Sequence, residues 1–457
     1  RMIKLTTQQL AQIFNASLIG DGQVVVENIN TDTRKALSNS LFFALKGEHF
    51  DAHQYLDQAV EQGATALVVQ HLNAEIATPQ LVVADTRLAL GQLAKWLREK
   101  INPRTVAMTG SSGKTTVKEM TASILQQTSG NPEAVLFTNG NFNNDIGVPL
   151  TLSRLTEQHK FAVIELGANH LGEIDYTTHL AQPEAALVNN VAAAHLEGFG
   201  SIEGVARAKG EIYRGLTPNG VAIINCEHNY IELWQKEIGS HAIQYFNGGD
   251  YKAENVEHSP NGSTFMLVSP KGSIEINLPY LGEHNVKNAL AATALAMNVG
   301  ASLADVKAGL EHRSQVKGRL FPIQVNENLL LLDDTYNANV DSLQAAIDVL
   351  KGYDAFRILL VGDMKELGED SLKCHQQVGE HAKQAKLDLV LSYGTESAVI
   401  SEAVLGKHFT DKAELTAYAL DIIKQKLQEN QKVVVLAKGS RSMKMEETIY
   451  SLKDSLC

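Results

Sequence analysis

The residues best suited to chemistry begin at Gly110. The segment Gly110-Ser111-Ser112-Gly113-Lys114-Thr115-Thr116 follows an apolar run, Thr105 to Met108, and precedes a helical pattern, Val117 to Gln126. A strand, a glycine turn and a helix start in that order make an anion site. Glycines let the backbone bend so that its N–H groups face phosphate oxygens. The helix N-terminus adds a positive field. Lys114 suits the terminal phosphates, and the Thr115 hydroxyl suits Mg²⁺. The usual spacing is G-x-x-x-x-G-K-[ST], whereas here Ser111 and Ser112 alone separate the glycines, so the loop is short. A nucleoside triphosphate site is expected on Gly110, Ser111, Ser112, Gly113, Lys114, Thr115 and Thr116. No Asn-Lys-x-Asp guanine-reading motif occurs, which argues against a GTPase switch. A kinase, a motor ATPase and an ATP-dependent ligase remain open.

Further along, Glu165 ends an apolar run, Phe161 to Leu166. A carboxylate at that strand end suits Mg²⁺, which takes one or two carboxylates and fills its shell with water and phosphate. Asn169-His170 and Asn189-Asn190 follow strand ends, and His195 and Lys209 come slightly later. Cys226, Cys374 and Cys457 are far apart with no CxxC, so neither a disulfide framework nor a zinc cluster is implied, and a reducing cytosol fits.

The elements that must position these residues follow from pattern. A length of 457 residues suggests about three domains. Forty Lys and Arg against 52 Asp and Glu give a net charge of −12, which speaks against general nucleic-acid binding. Apolar residues make up 44%, with no run long enough for a membrane span, and the start Arg1-Met2-Ile3-Lys4-Leu5 lacks a signal-peptide pattern. The expected architecture is α/β throughout. Residues 1–84 read as a small α/β domain with helices at Thr6 to Ile13 and Tyr55 to Gly63. Its strands are expected at Val24 to Ile29, Leu41 to Leu45, Ala66 to Val69 and Leu81 to Ala84. Residues 85–314 open with a helix, Thr86 to Ile101, stopped by Pro103. Strands at Thr105 to Met108, Phe161 to Leu166, Ala186 to Asn189 and Val221 to Asn225 alternate with helices, which argues for a parallel sheet. Lys252 to Leu278, with Asn261-Gly262 and Lys271-Gly272, reads as added β-hairpins. Residues 315–457 read as a Rossmann-like, doubly wound domain. Its strands are expected at Leu329 to Leu332, Ile358 to Val361, Leu389 to Leu391 and Val433 to Leu436. The loops Gly362 to Glu366 and Lys438 to Arg441 are expected to face a ligand.

Taken together, the short phosphate loop, Thr138-Asn139-Gly140-Asn141-Phe142-Asn143-Asn144, Glu165 to His170, His195, Ala208-Lys209-Gly210-Glu211, Gly282 to Ala289, Gly318-Arg319 and Asp333 to Asn339 resemble the Mur ligase family. These are ATP-dependent, amide-forming enzymes of peptidoglycan precursor synthesis, and the resemblance runs over nearly the whole chain. It implies that the N-terminal domain, with Thr33 and Arg34, takes a uridine nucleotide. It also implies Mg²⁺ on Thr115, Glu165, His195 and Lys209, with Lys209 carbamylated. Lys114, Lys209 and His195 would be the catalytic set. Asn288 would lie against adenine, Arg319 would touch phosphate and Asp334 would meet ribose. Asn139, Asn141, Asn169, His170 and Asn337 would contact substrate, and His170 is the candidate base on chemistry alone. Tyr336 stands where some relatives carry lysine, and Val340 where others carry proline. Gly362 to Gly368 and Ala168 to Ile174 resemble the members that add D-alanyl-D-alanine to UDP-N-acetylmuramoyl-tripeptide. The Asp-Asn-Pro-Arg motif of diaminopimelate-adding members is absent. A folylpolyglutamate-type ligase and another class of NTPase are the alternatives. A monomer is the default expectation.

Overall fold

The computed structural model describes residues 1–193, 196–259, 261–312 and 318–457. Three large sheets follow one another along the chain. The middle one has six parallel strands, in the order Ala242–Phe246, Val221–Asn225, Ala185–Val188, Arg104–Thr109, Phe161–Glu165 and Val135–Phe137. Helices cover both faces, so Val106, Ala107, Met108, Val163 and Leu187 are wholly enclosed. The order puts Arg104–Thr109 between Phe161–Glu165 and Ala185–Val188, and all three end on the same edge. That shared edge brings Glu165 and Asn189 beside the glycine turn. Both outer strands escape the apolar pattern: Val135–Phe137 is only three residues long, and Ala242–Phe246 starts with two exposed residues.

The hairpin addition is a three-stranded antiparallel sheet, Lys252–Ser259, Gly262–Ser269 and Gly272–Leu278. The C-terminal sheet runs Phe321–Asn326, Leu329–Asp333, Val433–Lys438, Phe356–Gly362, Leu389–Tyr393 and Lys407–Phe409. Phe321–Asn326 is antiparallel and the others are parallel. This added strand carries Pro322 and is half exposed, as an edge strand allows. The domain division expected at residue 314 lies outside the described residues.

The N-terminal sheet corrects one expectation. Val24 to Ile29 is not a single strand. Val25–Val26 pairs with Leu5–Thr6, and Asn28–Asn30 joins Ser40–Phe43 in the main sheet. The helix Thr86–Ile101 matches its expected span. Asp85 caps it by accepting from the Leu88 N–H, and Asn102 ends it at φ +50°. Leu90, Leu93 and Leu97 pack into the N-terminal core, while Ala94 packs into the central one. Arg98, on the same helix, donates to the carbonyls of Ala181 and Gln182 at 2.7 and 2.8 Å. Among the described residues no helix is long and apolar enough to cross a membrane.

Candidate active site

A cleft of about 880 Å³ opens at the strand-end edge of the middle sheet, and the first loops of the C-terminal sheet form its opposite wall. Ser111 to Thr116 line it. Gly113 sits at φ +76°, and a Cβ there would lie 2.6 Å from Asn288 Oδ1, so glycine is required twice over. The helix Lys114–Ser129 starts next, with no side chain capping it. Its first N–H groups are therefore left for a ligand.

The loop is held from behind by amides. Asn190 accepts from the Ser112 N–H at 2.8 Å and donates to Ser112 Oγ at 2.9 Å. Asn189 Nδ2 donates to the Ser112 carbonyl at 3.1 Å and to Asn288 Oδ1 at 2.9 Å. Asn288 in turn donates to Asn285. Asn288 lines the cleft, but its amide is engaged in bracing the phosphate loop.

Thr115 Oγ1 lies 3.1 and 3.2 Å from the two Glu165 oxygens. Asn143 Nδ2 donates to the same carboxylate at 3.1 Å, and Lys118 Nζ stands 3.7 Å from it. Lys118 is buried, as are Thr115 and Glu165. Thr115 and Glu165 offer oxygens, the ligand type that a hard cation such as Mg²⁺ takes. Among the described residues no group of three or more His, Cys, Asp and Glu is gathered for a metal. A cation here would complete its shell from phosphate and water.

Lys209 is 2% exposed. Burial, helped by the charge of Lys114, pushes its amine down to about 7. Lys114 is also lowered by lost hydration, with Glu165 acting in the opposite direction. Two residues on, the Glu211 carboxylate accepts from the Gly172 and Asp175 N–H groups, so it caps the helix Glu173–Ala181 from outside.

On the C-terminal wall, Asp334 accepts from the Leu320 N–H at 3.1 Å and pairs with Lys438 Nζ at 3.1 Å. Asn339 Nδ2 donates to the Ser111 carbonyl at 2.5 Å, a direct bond from this wall to the phosphate loop. The Arg319 guanidinium stacks on the Tyr336 ring, 3.9 Å from its centroid. Burial in the cleft pushes His284 down to about 4, against the pull of nearby Asp334, so its imidazole is neutral at pH 7.

The structure thus gathers Ser111, Ser112, Gly113, Lys114, Thr115, Thr116, Glu165, Lys209, Asn288, Arg319, Asp334, Asn141, Asn169 and Asn337 around one cleft. Asn139 and His170 are exposed and do not line it. Neither do Thr33 and Arg34, which sit in the N-terminal unit, where Arg34 is tied to Asp32 at 3.0 Å. His195 lies outside the described residues. Lys438 and Arg441, from the loop expected to face a ligand, line the cleft, whereas Lys118 was missed as a site residue. Lys118 had a signal: it is a charge one turn after Lys114, within a stripe of Val117, Thr121 and Ile124 that faces the core.

Comparison with known proteins agrees with this geometry. Residues 25–97 match the Mur ligase family catalytic domain, 108–296 the Mur ligase middle domain, and 318–441 the Mur ligase glutamate ligase domain. The chain is 76% identical over 455 residues, 100% of both sequences, to the UDP-N-acetylmuramoyl-tripeptide–D-alanyl-D-alanine ligase of Haemophilus influenzae. A crystal structure of MurF from Acinetobacter baumannii superposes with a TM-score of 0.93 at 40% identity, covering 99% of each chain. MurF from Thermotoga maritima in complex with ADP gives 0.82 at 25% identity, over 94% of this chain and 97% of that one. With all three units matched and its glycine loop, strand-end glutamate and buried lysine facing one cleft, this chain belongs to the Mur ligase family.

Proposed function

We infer that this chain is an ATP-dependent, ADP-forming ligase that joins D-alanyl-D-alanine to UDP-N-acetylmuramoyl-tripeptide. The observation that carries the reading is full-length identity of 76% to a ligase of that name, together with an intact phosphate loop facing the cleft. The place of the reaction is cytoplasmic peptidoglycan precursor synthesis. Residues 1–84 hold the uridine nucleotide, 85–314 the ATP, and 315–457 face the dipeptide.

Two covalent steps follow from the chemistry. A terminal carboxylate oxygen of the tripeptide attacks the γ-phosphorus of ATP, and ADP leaves. The neutral amine of the dipeptide then attacks the acyl carbon, the amide C–N bond forms, phosphate leaves and the amine gives up a proton. The first step brings two anions together. Lys114, Arg319 and the N–H groups of Gly113 to Thr116 answer that charge from fixed positions. Thr115 and Glu165 would hold Mg²⁺, which supplies charge neutralisation on the phosphates. Lys209 has an amine poised near neutrality, so part of it is uncharged and free to add to CO₂. From the neutral amine that addition forms an N–C bond and releases one proton; counted from the ammonium form, two protons leave and an anion stands where a cation was. Asp334 and Lys438 form a fixed polar pair on the ribose side.

The test is phosphate release from the purified chain. Release that requires ATP, UDP-N-acetylmuramoyl-tripeptide and D-alanyl-D-alanine together is expected. Release with ATP alone would instead identify a motor-type ATPase.

A further inference from the structure

Arg319 presents an unusual state. It is partly buried in the cleft lining, and that burial lowers its pKa. Its Nε has no hydrogen-bond partner among the described residues. A buried N–H without an acceptor is costly, so something must fix this Nε ready for a ligand that supplies one. What lies against it is an aromatic face. The guanidinium carbon stands 3.9 Å from the Tyr336 ring centroid, close enough for a strong cation–π contact.

Tyr336 is itself fixed from two directions. Its N–H donates to the Gly318 carbonyl at 3.0 Å, one residue before Arg319. Gly318 sits at φ +86°, and a Cβ there would come within 3.2 Å of Tyr336, so the backbone closes onto the ring. On the far side, the Tyr336 hydroxyl donates to Asn141 Oδ1, across from the C-terminal wall to the central unit. Asn141 lies two residues from Asn143, whose amide donates to Glu165 at 3.1 Å. Glu165 in turn meets Thr115. A continuous series of contacts therefore runs from Arg319 through Tyr336 and the 139–144 loop to Glu165.

We propose that Tyr336 is a positioning residue: its ring sets the Arg319 guanidinium for the phosphate end of ATP, and its hydroxyl couples that placement to the Asn141 loop across the cleft. This rests on the reading of the cleft as the ATP site. The two halves of the side chain have separable duties. The ring acts on nucleotide affinity through Arg319. The hydroxyl acts on the turnover step, because it joins the two walls of the cleft.

The experiment uses the full chain with ATP, Mg²⁺ and both substrates, together with ADP affinities by titration calorimetry. Tyr336→Leu is expected to raise KM for ATP and Kd for ADP about tenfold, as is Arg319→Lys. The double variant Tyr336→Leu with Arg319→Lys is expected to be little worse than either single one, since both act through the guanidinium. Tyr336→Phe keeps the ring; it is expected to leave ADP affinity within about twofold while lowering kcat about fivefold, and Asn141→Ala to match it without compounding. A merely structural residue would lower melting temperature and blur this split. Effects that multiply to about a hundredfold in the double variant would overturn the proposal, as would Tyr336→Phe weakening ADP as much as Tyr336→Leu. Should Tyr336→Leu fail to fold, Tyr336→Phe and Asn141→Ala decide alone by whether their kcat losses compound. If the wild-type chain releases no phosphate with all substrates, the ligase reading fails, and the ADP affinities still decide Tyr336.

Discussion

Two strand-end turns in this molecule are built alike and used in opposite ways. After Arg104–Thr109, the glycine turn leads into a helix whose first N–H groups face the cleft. After Leu389–Tyr393, the turn Gly394 to Ser397 also leads into a helix, Ala398–Ala403. There the N–H groups of Thr395, Glu396 and Ser397 all point to the Asp363 carboxylate, at 2.9, 3.1 and 2.8 Å. Burial alone would raise the Asp363 pKa, but these N–H donors pull it below the usual carboxylate range. Gly394, at φ +126°, leaves no room for a Cβ, which would meet the Asp363 oxygens. The C-terminal turn has a built-in anion, whereas among the described residues no side chain caps the central one. A Rossmann-like sheet with glycine-ended strands therefore need not bind a nucleotide. What decides is whether a carboxylate of the chain already fills the cradle.

Breaking this contrast from the open side gives the largest effect. Lys114→Ala is expected to lower substrate-dependent phosphate release by about a thousandfold, because the loop then faces the phosphates without its cation. On the filled side, Asp363→Ala is expected to cost about 3 kcal/mol of stability, since three N–H groups and Lys365 lose their acceptor. Chemical denaturation measures that loss. Formate or phosphate should restore part of it if the emptied turn has become an anion site, and no response to either anion would count against the parallel. Gly113→Ala tests the shape of the open cradle. The φ of +76° and the Asn288 amide both resist a side chain, and ATP is expected to bind about tenfold more weakly, read by calorimetry. The smallest effect concerns charge left without an anion. Lys209 has its pKa lowered from 10.5 to about 7, whereas the unfolded chain holds that proton to higher pH. Between those values unfolding takes up a proton, so stability rises with pH. In metal- and bicarbonate-free buffer, Lys209→Met is expected to stabilise the fold by about 1 kcal/mol at pH 6.5, the gain fading toward pH 10. Thermal melts across pH check the slope; a gain that grows with pH would be the wrong sign.

Local signals carried much of the fold and part of the site. The helix Thr86–Ile101 was legible with its stop at Pro103, and the structure adds the Asp85 cap at its start. The hairpins were legible from Asn261-Gly262 and Lys271-Gly272. The strand Phe321–Asn326 was not, because Pro322 and half exposure hide an edge strand. Glu165 could be placed at a strand end, but its partners, Thr115 and Lys118 on one helix and Asn143 on a loop, come from elements whose meeting with it depends on strand order. The stack of Arg319 on Tyr336 is seventeen residues apart in sequence and has no periodic signature. His170 illustrates the converse: chemistry made it a candidate base, yet its loop holds it exposed and away from the cleft lining.

The helix Thr86–Ile101 has one more consequence. Its sixteen residues span roughly 24 Å, and they belong to the N-terminal core on one face and to the central unit on the other. Arg98 clamps it to the C-terminal end of Glu173–Ala181, the helix whose opposite end Glu211 holds beside Lys209. The N-terminal unit is thus splinted rather than tethered. For a substrate held as proposed, with its uridine nucleotide in the N-terminal unit and its carboxylate near the phosphate loop, that splint acts as a rigid ruler, and length becomes a criterion for reaction as much as chemistry.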